Sequence, residues 1–142
     1  MLFDVGHGGG SFDFTIAAAA LEQGLGPDTI SSDVHSVSIQ TPGKPLLPWV
    51  VSKFLSLGLS LDDAIAKATV EPARIIDRVP GLGTLQIGAP ADLAVFRLVE
   101  GPVGFVDTNK HERRGNAYLE SVKTIRQGRP FGFPFPDPFT FT

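Results

Sequence analysis

The chain has 142 residues and a formal charge of −3, which gives no electrostatic case for binding nucleic acid or an anionic membrane surface. A hydrophobic share of 42% is that of a folded protein, and the length suits one domain. The absence of cysteine excludes disulfides and thiolate metal sites, leaving His, Asp, Glu and water as metal ligands.

Leu2 to Gly6 reads as a strand. Gly6, Gly8, Gly9 and Gly10 surround His7 in a turn where backbone can approach a ligand closely. It is not a phosphate loop, because no Gly-Lys-Ser/Thr follows. Ser11 is the expected cap of a helix that carries Phe14, Ile16, Ala17 to Ala20 and Leu21 and stops at Gly24. Asp13 suits the positive end of that helix. Thr29 to Ser32 is the next strand. The unit has the length of a βαβ crossover, roughly 30 residues, which implies parallel strands and α/β architecture.

A proline-punctuated loop runs from Ser36 to Pro48, long enough to wall a site. Val50, Val51, Phe54, Leu55 and Leu57 form the apolar stripe of a second helix, ended by Gly58. Ser60-Leu61-Asp62-Asp63 resembles a capping box with Asp in the glutamate place. Leu61, Ala64, Ile65 and Ala68 face inward on a third helix, and Glu71 to Ile76 restarts a fourth with Pro72 in its first turn. Beyond Val79-Pro80-Gly81 the pattern turns to strands: Thr84-Leu85, Leu93 to Leu98, and Ser121 to Arg126 before a Gln127-Gly128 turn. The division expected is 1–78, 79–130, and a Phe/Pro tail at 131–142 that packs as an extended arm.

The chemistry centres on Asp33, a carboxylate closing a short strand, with His35 two positions on. A carboxylate at the end of a barrel strand is where a metal-dependent hydrolase keeps a ligand or base; the plain alternative is an Asp that caps a turn. His7 reads either as a group that contacts substrate or polarises a carbonyl, or as a loop histidine bonded to backbone. His35 reads as a substrate-orienting group or a loop cap. His111, in Lys110-His111-Glu112-Arg113-Arg114, reads as part of a solvated turn. Asp4 is expected to brace the glycine turn, and Arg74 and Asp92 to be structural.

Several segments together resemble the amidohydrolase superfamily, chiefly its dihydroorotase-like and deacetylase-like metallohydrolases. They are Phe3-Asp4-Val5-Gly6-His7-Gly8, Thr29 to His35, Ala68-Thr69-Val70-Glu71-Pro72-Ala73-Arg74, Gly83-Thr84-Leu85, Gly88 to Phe96, and Thr124 to Pro130. The resemblance implies the C-terminal fragment of a TIM-type (β/α)8 barrel followed by part of a small β-sandwich. It implies a C–N amide hydrolase for a cyclic amide or an N-acyl amino-acid derivative, with one or two divalent metals, zinc by family. Asp33 then maps to the catalytic and metal-binding aspartate, with His7, Gly8 and His35 in substrate binding. The family's H-x-H pair is missing, and a whole barrel needs about 250 residues. The expectation is a fragment, a shortened reading frame, or a subunit completed by another chain or by its own copies, which alone neither holds zinc tightly nor turns over. A non-catalytic partner subunit docking on a metal-bearing chain is the rival, and a free-standing ligand-binding domain a third reading. A small-molecule amide substrate and a cytoplasmic setting are expected, with no membrane or nucleic-acid partner.

Overall fold

The computed structural model describes residues 1–131, so the predicted tail lies, beyond Phe131, outside the described residues. Strand β1 (Asp4–Val5) pairs in parallel with β2 (Thr29–Ile30), and helix α1 (Phe14–Glu22) crosses between them. A single turn of 3-10 helix (Ser38–Gln40) leads to α2 (Leu47–Ser56), α3 (Leu61–Ala68) and α4 (Val70–Ile76). The chain then forms an antiparallel sheet of β3 (Leu93–Val106), β4 (Glu112–Arg126) and β5 (Arg129–Phe131), in that order. The class is therefore α/β with a small antiparallel sheet; the described residues form neither a closed barrel nor a second sheet layer over β3–β5.

Local chemistry explains most boundaries. Asp13, not the expected Ser11, caps α1: it is extended, and its Oδ1 accepts the N–H groups of Thr15 at 2.7 Å and Ile16 at 3.0 Å. Ser11 is instead spent in the glycine turn, where its N–H bonds the His7 carbonyl. Ser60 caps α3 as expected, accepting from the Asp63 N–H at 3.1 Å. Asp4 braces the parallel pair by accepting from Thr29 Oγ1 and Ser31 Oγ at 2.6 and 2.7 Å.

Two strand expectations change. Thr84-Leu85 is coil, because Gly81 and Gly83 both sit at positive φ and turn the chain there. The antiparallel strands are far longer than expected, since pairing resumes with a shifted register after Val95 and again across Glu100–Val103, which carries β3 past Gly101 and Pro102. The Gln127-Gly128 turn is as expected and is tied down by Asp92, whose Oδ1 accepts the Gln127 N–H at 2.6 Å.

One apolar cluster joins the two halves: Phe12, Phe14, Ile30, Val50, Val51, Phe54 and Ala64 pack with Phe105 and Leu119 from the hairpin. Helix α2 is the wedge between them. Trp49 meets Phe105 and Tyr118 edge-on, with centroids 5.1 and 5.5 Å apart. Ser52 Oγ accepts the Leu119 N–H at 2.8 Å, and Arg113 Nε donates to the Ser56 carbonyl at 3.0 Å, so polar bonds at the middle and the C-terminal end of α2 fix its place on the sheet. No helix among the described residues is long and apolar enough to cross a membrane.

Candidate active site

Asp33 stands three residues past β2, with its backbone in the left-handed region at φ 48°. Aspartate visits that region at lower cost than most side chains, and a residue kept there needs outside support. Support comes from Ser38, a buried residue whose Oγ lies 3.2 Å from the Asp33 carbonyl and accepts the His35 N–H at 2.8 Å. Space comes from the glycine turn. A Cβ on Gly6 would stand 2.6 Å from the Asp33 Cβ, and one on Gly8 would collide with the Asp33 Oδ2. The Gly-His-Gly spacing is thus a cradle for this carboxylate. The Gly8 N–H bonds the Ser32 carbonyl at 3.1 Å and fixes the distance between turn and strand end. Asp33 and His35 are both exposed at this end of the parallel pair.

His7 lies elsewhere. It is fully buried, its ring stacked on Phe12 at 5.8 Å between centroids. Nδ1 is 3.1 Å from the Gly8 carbonyl, and Nε2 has no hydrogen-bond partner among the described residues. Burial lowers its pKa, and the nearby charge of Lys53 pushes the same way. So the structure sets the exposed Asp33 carboxylate against the buried Gly8, leaves His35 exposed two residues on, and turns the His7 imidazole into the interior.

Lys53 is the residue that sequence reading missed. It is fully buried on α2, its Nζ donating to the Val106 carbonyl at 2.6 Å and lying 5.3 Å from the centre of the Phe12 ring. Burial pulls its pKa down to about 7, against the opposing attraction of Asp107. A signal existed, since positions 50, 53, 54 and 57 form one helical stripe and a lysine on it is set to be buried.

A second polar group joins α1 to the hairpin turn. Ligand atoms of Asp13, Asp107 and His111 lie within 4.8 Å of one another, the one such trio among the described residues. Its oxygens are already committed. Asp107 accepts the N–H groups of Phe14 (3.0 Å), Asn109 (2.9 Å) and His111 (2.8 Å), and stands 3.1 Å from His111 Nδ1. Asp13 caps α1 through one oxygen and accepts Asn109 Nδ2 at 2.8 Å through the other. Burial pushes the Asp107 carboxyl up, but the Phe14, His111 and Asn109 donors outweigh it and leave the pKa below the usual range. The trio works as a fastener; ligating a cation would take its oxygens from the helix and the turn. His111 is exposed beside the hairpin turn, as expected, and is the third member of that fastener.

Comparison with known proteins follows the same lines. No protein-family model matches the chain. A deacetylase of Brucella anthropi is 37% identical over 117 residues, which is 82% of this chain and 29% of the relative. A deacetylase of Agrobacterium fabrum is 38% identical over 75% of this chain and 26% of its own length. A third, from Enterococcus faecalis, is 30% identical over 91% and 35%. Among solved structures, an adenine deaminase superposes with a TM-score of 0.85 at 30% identity, covering 92% of this chain and 35% of that one. A dihydroorotase superposes with a TM-score of 0.79 at 32% identity, covering 90% and 34%. The chain thus spans about a third or less of the length of each protein it matches.

Proposed function

We propose, for a chain that belongs to the amidohydrolase superfamily and spans 29% of the deacetylase cited first above, that it supplies the acidic corner of an amide-hydrolysing active site whose other groups lie outside it. The observation that carries the reading is the Asp33 carboxylate, exposed at the end of a parallel strand and cradled by Gly6 and Gly8. On this reading β1, α1 and β2 are the last units of a TIM-type barrel. The sheet β3–β5, beyond a division near residue 79, is part of a small sandwich. The substrate is a cyclic amide or an N-acyl amino-acid derivative, handled in the cytoplasm.

The metal that the family implies, zinc by expectation, finds one suitable donor in Asp33. Among the described residues no second His, Asp or Glu joins it in a group of three. A zinc site needs three or four ligands, so these residues fit one corner and not the whole. Bound in a complete site, such an ion polarises the carbonyl and lowers the pKa of water. The part played by this chain is proton handling: an Asp33 oxygen accepts a proton from the attacking water and returns it to the leaving nitrogen. His35 flanks the substrate at the same surface, and Gly8 lies beneath the carboxylate, where its backbone comes close to the bound amide. Zinc titration of the purified chain is the test. Weak binding with no amidase activity is expected; tight one-to-one binding with turnover would refute the divided site.

A second reading, a partner subunit that docks on a metal-bearing hydrolase chain, is favoured by the outer side of β1. Beside it an apolar groove of about 390 Å³ opens between Phe3, Val5, Phe12, Ile16, Leu21 and Leu25. The DNA upstream of Met1 separates the two readings: an in-frame extension encoding H-x-H means one shortened polypeptide, and a stop codon directly upstream favours a partner subunit or a decayed gene.

A further inference from the structure

We infer that Gly43 is a positioning residue for Asp33: it fills a half-buried seat made by the buried His7 and Lys53 and by the Val106 carbonyl, and the loop it anchors there carries the serine that holds the Asp33 backbone. The inference rests on the reading of Asp33 as the working carboxylate.

The seat is defined by what it excludes. A Cβ on Gly43 would stand 2.7 Å from His7 Nε2 and 2.8 Å from Lys53 Nζ, and it would overlap the Val106 carbonyl oxygen outright. Backbone oxygen cannot step aside as a flexible side chain can. Gly43 also lies at φ 90°, which no L side chain adopts readily. The seat belongs to three separate elements: the glycine turn, α2 and the end of β3. They fix it in the frame of the whole core. Lys53 Nζ is held to Val106 O at 2.6 Å, and His7 is clamped on Phe12, so neither wall is loose.

From Gly43 the connection back to Asp33 is short. Thr41 Oγ1 lies 2.6 Å from the Ser38 carbonyl and 3.2 Å from the Gly8 carbonyl, so its one proton ties the loop both to itself and to the cradle. Ser38, buried beneath, reaches the Asp33 carbonyl. A left-handed aspartate has little backbone preference of its own to remain there. What keeps it is Ser38, and what keeps Ser38 is a loop pinned at Gly43.

The test compares Gly43→Ala with Gly58→Ala in the full chain, by amide NMR and hydrogen exchange. Gly58 is a matched control, since its φ is 100° with open space where a Cβ would go. Both variants take on positive-φ strain; only the first fouls the seat. Gly43→Ala is expected to move the amide signals of Asp33, Gly8 and Ser38 and to speed exchange across residues 36–46 about tenfold. Signals of the β3–β4 hairpin away from Val106 and Asp107 stay in place, and Gly58→Ala leaves Asp33 untouched. Should Gly43→Ala fail to fold, Ser38→Ala decides, since loss of that hydroxyl alone is expected to move Asp33. An Asp33 signal unmoved by the seat variant, or by Ser38→Ala if the former is unfolded, would overturn the inference. So would an equal shift from Gly58→Ala. None of these readouts depends on catalysis, so failure here is separate from failure of the hydrolase reading.

Discussion

Lys53→Met is expected to make the protein more stable at neutral pH, although it deletes a buried hydrogen bond. The lysine is pulled from 10.5 to about 7 by burial, and at about 1.4 kcal/mol per pH unit this amounts to ~5 kcal/mol held against the folded state. Methionine keeps the stem and removes the ammonium. The loss is the donor to Val106 O, which leaves a buried carbonyl unpaired at about 1–3 kcal/mol. The net expectation is a gain of ~2 kcal/mol near pH 7, or a rise of about 4–8 °C in Tm at this size. The pH dependence fixes the sign. Below pH 7 the amine is protonated in both folded and unfolded chains, and the full cost applies. From pH 7 towards 10.5 only the unfolded chain keeps the proton, so wild-type stability climbs relative to the variant. Urea unfolding of both proteins at pH 6.5, 8 and 9.5 measures this. A variant less stable than wild type at pH 7, with a gap that does not change with pH, would refute the reasoning.

Other expectations follow from the same geometry. Asp107→Asn should cost about 1–3 kcal/mol, because the amide nitrogen cannot accept, so either the α1 donor on Oδ2 or the hairpin-turn donors on Oδ1 are left unpaired; urea midpoints report it. Since the Asp107 pKa is depressed, its contribution is present above 3.8 and is lost as pH falls through the folded value. That acid-induced loss should be absent in the Asn variant. Gly8→Ala combines positive φ with a collision at Asp33 Oδ2 and should cost about 1–2 kcal/mol while moving the Asp33 amide signal. Asp13→Ala removes the α1 cap and the tie to Asn109 and should cost about 1 kcal/mol, with faster exchange in the first turn of that helix and in the hairpin turn.

Much of this was legible because local rules act alone at those positions. A serine before an amphipathic run with Asp three residues on has one common use, and Ser60 has it. Asp92 and Gln127-Gly128 likewise announced a turn. Parallel β1–α1–β2 followed from a strand, a glycine turn and a helix in the right length. The misses all depend on partners distant in sequence. Ser11 and Asp13 are both good caps, and Asp13 wins because Asn109, from the hairpin turn, bonds its free oxygen. The extent of β3 and β4 is set by cross-strand pairing through bulges, which a run containing Gly101 and Pro102 conceals. Lys53 and Asp107 drew no reading from the sequence. Their burial comes from the hairpin end closing over α2, and only the stripe position of Lys53 hinted at it. At the candidate site, Asp33 and the glycines were readable together, whereas the inward turn of His7 was not, since a flexible Gly-His-Gly run carries no mark of direction.

The central claim is that this chain brings one essential carboxylate to a site completed by other residues. The most direct measurement is amide hydrolysis by a chimera in which this sequence replaces the matching segment of the Brucella anthropi deacetylase, with and without Asp33→Asn. An active chimera that loses at least about 100-fold in kcat on losing the carboxylate, with substrate binding retained, is the predicted result. Undiminished turnover by the Asn form would contradict it.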